Sequence, residues 1–411
     1  MEPQAGIEPA TCPLRVGCST TEPLRRVLRT RRLILTKILP MTIRVVSIIS
    51  RMNVGGPAVL LSELIKNLPA EEFHHTLITG TCQSNEIDYL DSHPLESEVI
   101  YIDEIKRSVL PIADVKSFFR LMKTLKALKP DIVHTHTSKA GVLGRLASRI
   151  AAPGAKVIHT YHGHILYGYF GPFLTKTIVF AEKRLSKFTD LLIAITNPVK
   201  QDLLNAGIGR GNSWKIIHPA VPENRFPRKC EITAIRKLLW IGRFTAIKDP
   251  MLAIKCFQEL SNSDPGAFEL TMVGDGELLN DSKKYSEENF LGIKFVGWSN
   301  QVQEYLSETD LLLLTSTNEG LGMVALEAAQ FGVPTIATDV GGVSEFISDG
   351  VTGYFCAPYS TSFSQKILEL ANNLEEFTEV GMAALQKVEQ DFSLHKFILE
   401  HEVTYREIYF G

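Results

Sequence analysis

Short apolar, β-branched runs alternate along this chain with stretches in which apolar side chains recur every three or four positions. The first runs are TIRVVSIIS (42–50), HHTLITG (74–80), EVIYID (98–103), DIVHTH (131–136), KVIHTYH (156–162), LLIAIT (191–196) and WKIIHP (214–219). Between the first two, Leu61, Leu64, Ile65 and Leu68 keep the i, i+3, i+4, i+7 spacing of one helix face. A second series, KLLWIG (237–242), ELTMVG (269–274), IKFVG (293–297), DLLLLTS (310–316) and PTIAT (334–338), also has helical segments between its members. Strands covered on both faces read as continuous apolar runs, and crossover helices join them in parallel. The pattern therefore predicts an α/β protein of two doubly wound, Rossmann-like sheets. The Pro-rich, polar stretch HPAVPENRFPRK (218–229) divides the series. We expect one domain over 41–220, a second over 221–392, and a helix over 393–411 packing back on the first. Such domains turn the carboxyl ends of both sheets toward one cleft, where ligands of open α/β sheets bind.

Residues 1–40 keep no such period. Arg25 to Arg32 is basic and no cleavage pattern follows an apolar stretch, which excludes a signal peptide; Glu2, Glu8 and Glu22 count against a transit peptide. Because Met41 opens the first clean strand, the segment reads as a non-native or disordered extension. The alternative is a basic arm touching a membrane.

Composition narrows the class. The 411 residues are 45% hydrophobic and 22% charged, which rules out wholesale disorder and suits two or three domains. No run approaches the roughly 18 uncharged apolar residues of a membrane span. Basic and acidic side chains number seven and three in residues 1–40, 21 and 15 in 41–220, and 15 and 28 in 221–411. A basic front and an acidic back do not describe a nucleic-acid binder. The six cysteines form no C-x-x-C pair and no regular framework, as expected of reduced thiols in a cytoplasmic compartment.

The richest stretch chemically is DLLLLTSTNEGLGMVALEAAQFGVPTIATDVGGVSE (310–345). Glu319 follows a buried strand in a turn with Gly320 and Gly322, where glycines let backbone N–H groups approach an anion. Glu327 lies in the helix that follows, placed either to accept ribose hydroxyls or simply as a near-surface helix residue. Arg243 and Lys248 in IGRFTAIKD offer a planar fork and a compact charge to phosphate oxygens, or are a solvated basic pair. Gly55 and Gly56 precede Pro57, a first-turn proline opening a helix. His134, His136, His159, His162 and His164 form two H-x-H pairs, but a tetrahedral metal site needs further ligands, and neither C-x-x-C nor H-E-x-x-H supplies them. Lys116, Arg120, Lys123, Lys126 and Lys129 lie opposite Val115, Phe118, Leu121, Met122 and Leu125, either a solvated helix face or a surface for anionic lipid. A Walker A sequence is missing, as is any D-x-D to hold a metal–diphosphate.

Two glutamates separated by seven residues, with G-L-G after the first and Ala-Ala after the second, resemble the signature of family 4 (group 1) retaining glycosyltransferases of the GT-B fold. The resemblance runs over nearly the whole chain from Met41, with Gly55-Gly56, TYHG, GRFTAIKD, VGDGE, the two-glutamate motif and DVGGVSEFI in order. It implies that Arg243 and Lys248 grip the donor diphosphate, Glu319 contacts donor-sugar hydroxyls, and Glu327 the ribose. Gly320, Leu321, Gly322, Met323 and Val324 would line the sugar and phosphates, with Gly274 and Gly276 near the base. His162 would reach the transferred sugar near the reacting carbon, and Gly55 and Gly56 would face diphosphate or acceptor. Pro57 departs from the small residue of many relatives, which affects that loop's contacts.

The resemblance further implies transfer from a nucleotide sugar, UDP-linked, to a lipid-linked or saccharide acceptor in capsule or O-antigen assembly at the inner face of the cell membrane. No metal and no cofactor are expected, the nucleotide sugar being a co-substrate, and no nucleic-acid partner. The aromatic-rich HILYGYFGPF (164–173) would form the acceptor lip. Two other readings stay open: a sugar-nucleotide 2-epimerase of the same fold, and a non-catalytic nucleotide-sugar-binding protein.

Overall fold

Val45, Val46, Ile48 and Ile49 leave the first strand no polar face, and that strand takes the interior of a sheet. The computed structural model describes residues 42–83, 86–106, 111–163, 172–221 and 233–411. The extension at 1–40, residues 164–171 of the expected acceptor lip and residues 222–229 of the interdomain stretch lie outside them. The first half runs β1 (Ile43–Ile49), α1 (Gly56–Asn67), β2 (Phe73–Thr79), α2 (Tyr89–Ser92), β3 (Glu98–Tyr101), α3 (Pro111–Leu128), β4 (Ile132–His136), α4 (Ser138–Ala151), β5 (Lys156–Tyr161), α5 (Pro172–Leu185), β6 (Leu191–Ala194), α6 (Asn197–Asn205) and β7 (Ser213–Ile216). Its seven strands lie in the order β3-β2-β1-β4-β5-β6-β7. β1 pairs in parallel with β2 from Ile43↔Phe73 to Ile49↔Thr79, and with β4 from Val45↔Ile132 to Ile48↔Thr135.

The second half runs β8 (Lys237–Ile241), α7 (Pro250–Ser263), β9 (Glu269–Val273), α8 (Leu279–Glu288), β10 (Lys294–Gly297), α9 (Val302–Glu308), β11 (Leu311–Leu314), α10 (Met323–Ala329), β12 (Thr335–Thr338), β13 (Tyr354–Cys356), α11 (Ser360–Ala371), α12 (Leu374–Asp391) and α13 (Leu394–Phe410). Its order is β10-β9-β8-β11-β12-β13, again parallel. β13 is a strand that periodicity does not reveal. Only three residues long, it follows β12 through a 3-10 turn at Val343–Glu345 rather than a full crossover helix. Each sheet reverses strand order once, between β1 and β4 and between β8 and β11, and the loops leaving those strands are where ligands of such sheets sit.

Apolar layers cover both faces of each sheet. Trp240, Phe244, Phe257 and Met272 pack beneath α7 and α11, while Leu312, Leu314, Leu326 and Phe392 fill the opposite side. α13 leaves the second half and returns to the first: Phe397 and Tyr405 share a core with Ile43, Leu64, Leu77 and Ile193. Val221 and Ser393 form a parallel bridge where the chain crosses in each direction. One ionic group is sunk in the first domain. Arg145 on α4 is fully buried, and its Nη2 donates to both Glu182 oxygens at 2.7 and 2.8 Å, while the Tyr161 hydroxyl donates to Glu182 Oε2 at 2.8 Å. Among the described residues no helix is long and apolar enough to cross a membrane.

Candidate active site

The loop after β8 and the turn after β11 are locked together by backbone polarity. Trp240 Nε1 donates to Thr315 Oγ1 at 2.9 Å, and that hydroxyl faces the carbonyl oxygens of Asp249 at 2.8 Å and Lys248 at 3.0 Å. The Thr317 amide donates to the Ile247 carbonyl at 2.7 Å. Asp249 is left-handed at φ 42° and caps α7 by accepting from the Leu252 amide at 3.1 Å. This clamp delivers Lys248 Nζ to Glu319 Oε1, and Ser316 Oγ donates to the same oxygen at 2.6 Å. The two side chains assigned separate roles by resemblance thus form an ion pair with each other.

Two glycine turns interlock around Glu319. A Cβ at Gly341 would stand 1.9 Å from the Glu319 carbonyl oxygen, and one at Gly342 would stand 2.0 Å from that of Gly320. The Gly342 amide donates to the Glu319 carbonyl at 3.1 Å. Gly322, at φ 83°, caps α10, which begins at Met323 and Val324 and is seven residues long. So short a helix adds little macrodipole, and the cationic charge here rests on side chains. Leu321 is buried in the core behind the turn.

The first domain supplies the facing wall. His162 and Gly163 follow β5, and a Cβ on Gly320 would lie 3.1 Å from the His162 carbonyl oxygen and 2.9 Å from Ile195. Thr196 Oγ1 donates to the Gly320 carbonyl at 3.2 Å. Glu345 ties the halves together as well, accepting from the Asn197 amide at 2.9 Å and facing His218 Nε2 at 2.8 Å. Gly56 starts α1 with Pro57 in its first turn and approaches Met323, whereas Gly55 is extended. Between the walls lies a cavity of about 410 Å³, with Pro57, His162 and Gly163 on one side and Lys248, Glu319 and Gly320 on the other.

Other expected residues sit around this cavity rather than in its lining. Arg243 is exposed on the loop that carries Lys248. Gly274 and Gly276 pack against that loop: a Cβ at Gly274 would be 1.8 Å from the Gly242 carbonyl oxygen, and one at Gly276 2.5 Å from that of Phe244. Close backbone contact accounts for both glycines. Glu327 lies on α10, where burial pushes its carboxyl up to about 7.

The histidines form a column inside the first domain. His134 contacts the Tyr405 hydroxyl through Nδ1 at 2.8 Å and Thr160 Oγ1 through Nε2 at 2.7 Å. His136 Nδ1 lies 3.1 Å from His162 Nε2, and His159 Nδ1 2.8 Å from Thr135 Oγ1. Burial holds His134, His136 and His159 well below the usual imidazole range and lowers His162 to about 4. Among the described residues no group of three His, Cys, Asp or Glu is arranged to hold a metal ion. Sequence reasoning missed Thr196 and the bridging role of Glu345, although Glu345 stood inside the DVGGVSEFI motif.

Two parallel sheets meeting at a cleft, with a lysine–carboxylate pair on one wall and a histidine on the other, describe a GT-B type transferase. Residues 54–225 match the profile described as Glycosyltransferase Family 4, and residues 228–385 that described as Glycosyl transferases group 1. The O-antigen biosynthesis glycosyltransferase WbnH of Escherichia coli is 30% identical over 357 residues, covering 86% of this chain and 98% of its own. The UDP-Gal:alpha-D-GlcNAc-diphosphoundecaprenol alpha-1,3-galactosyltransferase of the same species is 29% identical over 308 residues, 70% of this chain and 77% of its own. Among solved structures, Anabaena Alr3699/HepE in complex with UDP and glucose superposes with a TM-score of 0.72 at 19% identity, covering 89% of this chain and 100% of that one. Sucrose-phosphate synthase of Thermosynechococcus elongatus gives 0.73 at 18%, covering 89% and 99%. At such identities the structures speak for the fold alone. The chain belongs to the group 1, family 4 glycosyltransferases, and it is a glycosyltransferase of the GT-B fold.

Proposed function

We propose that this enzyme transfers a sugar, with retention, from a UDP-linked donor to a lipid-linked or saccharide acceptor during assembly of a capsule- or O-antigen-type polysaccharide. The observation that carries the reading is the cavity in which Lys248, Glu319 and Gly320 face His162 and Gly163 across the cleft. The names of the two Escherichia coli relatives support the donor, the lipid diphosphate acceptor and the pathway class.

The donor enters with its diphosphate toward the Lys248 loop. Lys248 then exchanges Glu319 for phosphate oxygens, with Arg243 on the same loop, and Glu319 is freed to accept donor-sugar hydroxyls. As the bond from the anomeric carbon to the phosphate oxygen breaks, its electron pair leaves on the diphosphate, and a cation held there is worth most in the transition state. The acceptor hydroxyl oxygen bonds to that carbon on the same face, and its proton passes to the departing phosphate oxygen. The enzyme needs no resident cofactor for this, since its own cations take the charge.

The acceptor's lipid favours a site of action at the inner membrane face, and α3 suits it. Ile112, Val115 and Phe119 form a stripe that is 78%, 57% and 62% exposed, flanked by exposed Lys116, Lys123 and Lys126. Val115, expected on the packed face, is on this outer one. Apolar side chains beside lysines on one surface stripe suit shallow docking on anionic lipid.

The test is incubation with UDP-sugars, with and without a saccharide-diphospholipid acceptor. UDP release with a lengthened, α-linked product supports the reading. An epimerised UDP-sugar formed without acceptor, or donor binding without turnover on any acceptor, overturns it.

A further inference from the structure

We propose that His136 is a positioning residue for His162: its Nδ1–H donates to His162 Nε2, fixes that ring's tautomer, and leaves Nδ1–H as the group His162 offers a ligand. The inference rests on the reading that His162 faces the transferred sugar.

His136 is the last residue of β4, opposite Thr160 of β5, and His162 stands two residues past Thr160. The 3.1 Å approach of His136 Nδ1 to His162 Nε2 uses one nitrogen of each ring. His136 is buried and cannot turn away. Its ring centroid lies 4.1 Å from that of His134 and 5.3 Å from that of His162. His134 is itself fixed between Tyr405 on α13 and Thr160, and Tyr405 is buried. Positions two apart on a strand share a face, so the column Tyr405–His134–His136–His162 runs through the domain to the cavity wall.

The direction of the bond follows from the remaining nitrogen. His136 Nε2 is buried with no partner among the described residues. If His162 donated, His136 would carry its proton on Nε2, an orphaned buried N–H. With His136 donating, Nε2 is only an under-used acceptor, the less costly of the two. His162 then holds its proton on Nδ1 and meets substrate oxygen as a neutral donor rather than as a base.

The experiment records side-chain nitrogen shifts in full-length protein labelled with ¹⁵N-histidine, assigning His162 with His162→Gln. We expect a single Nδ1–H tautomer for His162, a mixture in His136→Phe, and the single form again in His136→Asn, whose amide stands near the place of Nδ1. In donor turnover, His136→Phe should lower kcat about tenfold or more with donor affinity kept within about twofold, and His136→Asn should recover most of the loss. A wild-type His162 protonated on Nε2, or a tautomer unmoved in both variants, overturns the proposal. So does full kcat in both variants when His162→Gln is inactive. If His162→Gln keeps full turnover, the sugar-facing reading fails instead, and the tautomer result alone judges His136. Should His136→Phe not fold, the wild-type tautomer and His136→Asn decide.

Discussion

Lys248 and Glu319 form an ion pair with each other, so in the proposed mechanism donor binding begins with the exchange of one anion for another. Lys248→Ala should lower kcat about 100-fold, a typical loss for one preorganised charge, while weakening UDP-sugar binding far less. Steady-state kinetics beside calorimetric titration with UDP-sugar separates the two; an unchanged kcat would return Lys248 to a structural role. Glu327 carries its own pH signature. Burial raises its carboxyl from 4.5 to about 7, so its contribution to stability is fully present below 4.5 and lost as pH rises through 7. Glu327→Gln should therefore raise Tm at pH 8 and leave it unchanged at pH 4. The ribose role that the resemblance implies for Glu327 adds a test, since hydroxyls donating to a carboxyl favour its ionised form. Donor affinity should accordingly fall as pH drops below about 7, a dependence that Glu327→Gln abolishes in the same titrations. Residue types and their spacing singled out both glutamates and the lysine, and the family resemblance supplied their roles. That Lys248 meets Glu319, or His136 meets His162, was not legible, because each pair joins side chains from separate strands and arises only when the loops pack.

Elements explain which local signals survived. Strands such as LLLL in β11 and LLIA in β6 were readable because burial on both faces leaves an unbroken apolar run. β13 was not, since three residues including a cysteine between Gly353 and Ala357 carry no period. Val115 was assigned to the packed face of α3 because an apolar side chain is presumed buried, and an exposed apolar stripe breaks that presumption. The glycines of the two interlocked turns make a sharper prediction. Gly342→Ala places its Cβ against the Gly320 carbonyl and should abolish donor binding while lowering Tm. Gly154→Ala, which meets no atom within 4 Å, should leave both intact. Between α4 and α5, removing Arg145 strands the Glu182 carboxylate. Arg145→Ala should cost about 3–5 kcal/mol, and adding Glu182→Leu should return most of it. Thermal and urea unfolding of the single and double variants measure this, and equal losses in both would show that packing, not charge, dominates.

At the scale of the molecule, α13 aside, Thr196 and Glu345 supply polar contacts across the cleft among the described residues, and Glu345 makes two of them. Glu345→Ala should leave each half folded but let the cleft open: the radius of gyration from X-ray scattering should increase, and UDP-sugar should restore it. No increase would mean that Thr196, Gly320 and the crossings suffice to hold the closed form.

The path of α13 has a consequence for synthesis. The first domain's core includes Phe397 and Tyr405, which leave the ribosome only after the entire second domain. Leu64, Leu77 and Ile193 must therefore wait without their last partners while some 170 residues are translated, roughly ten to thirty seconds at about 5–20 residues per second. The order of folding is inverted relative to the order of the domains: the half made first is finished last. A stop codon just before Leu394 would consequently spare the second domain, which ends immediately before it, and leave unfinished the domain that began about 350 residues earlier.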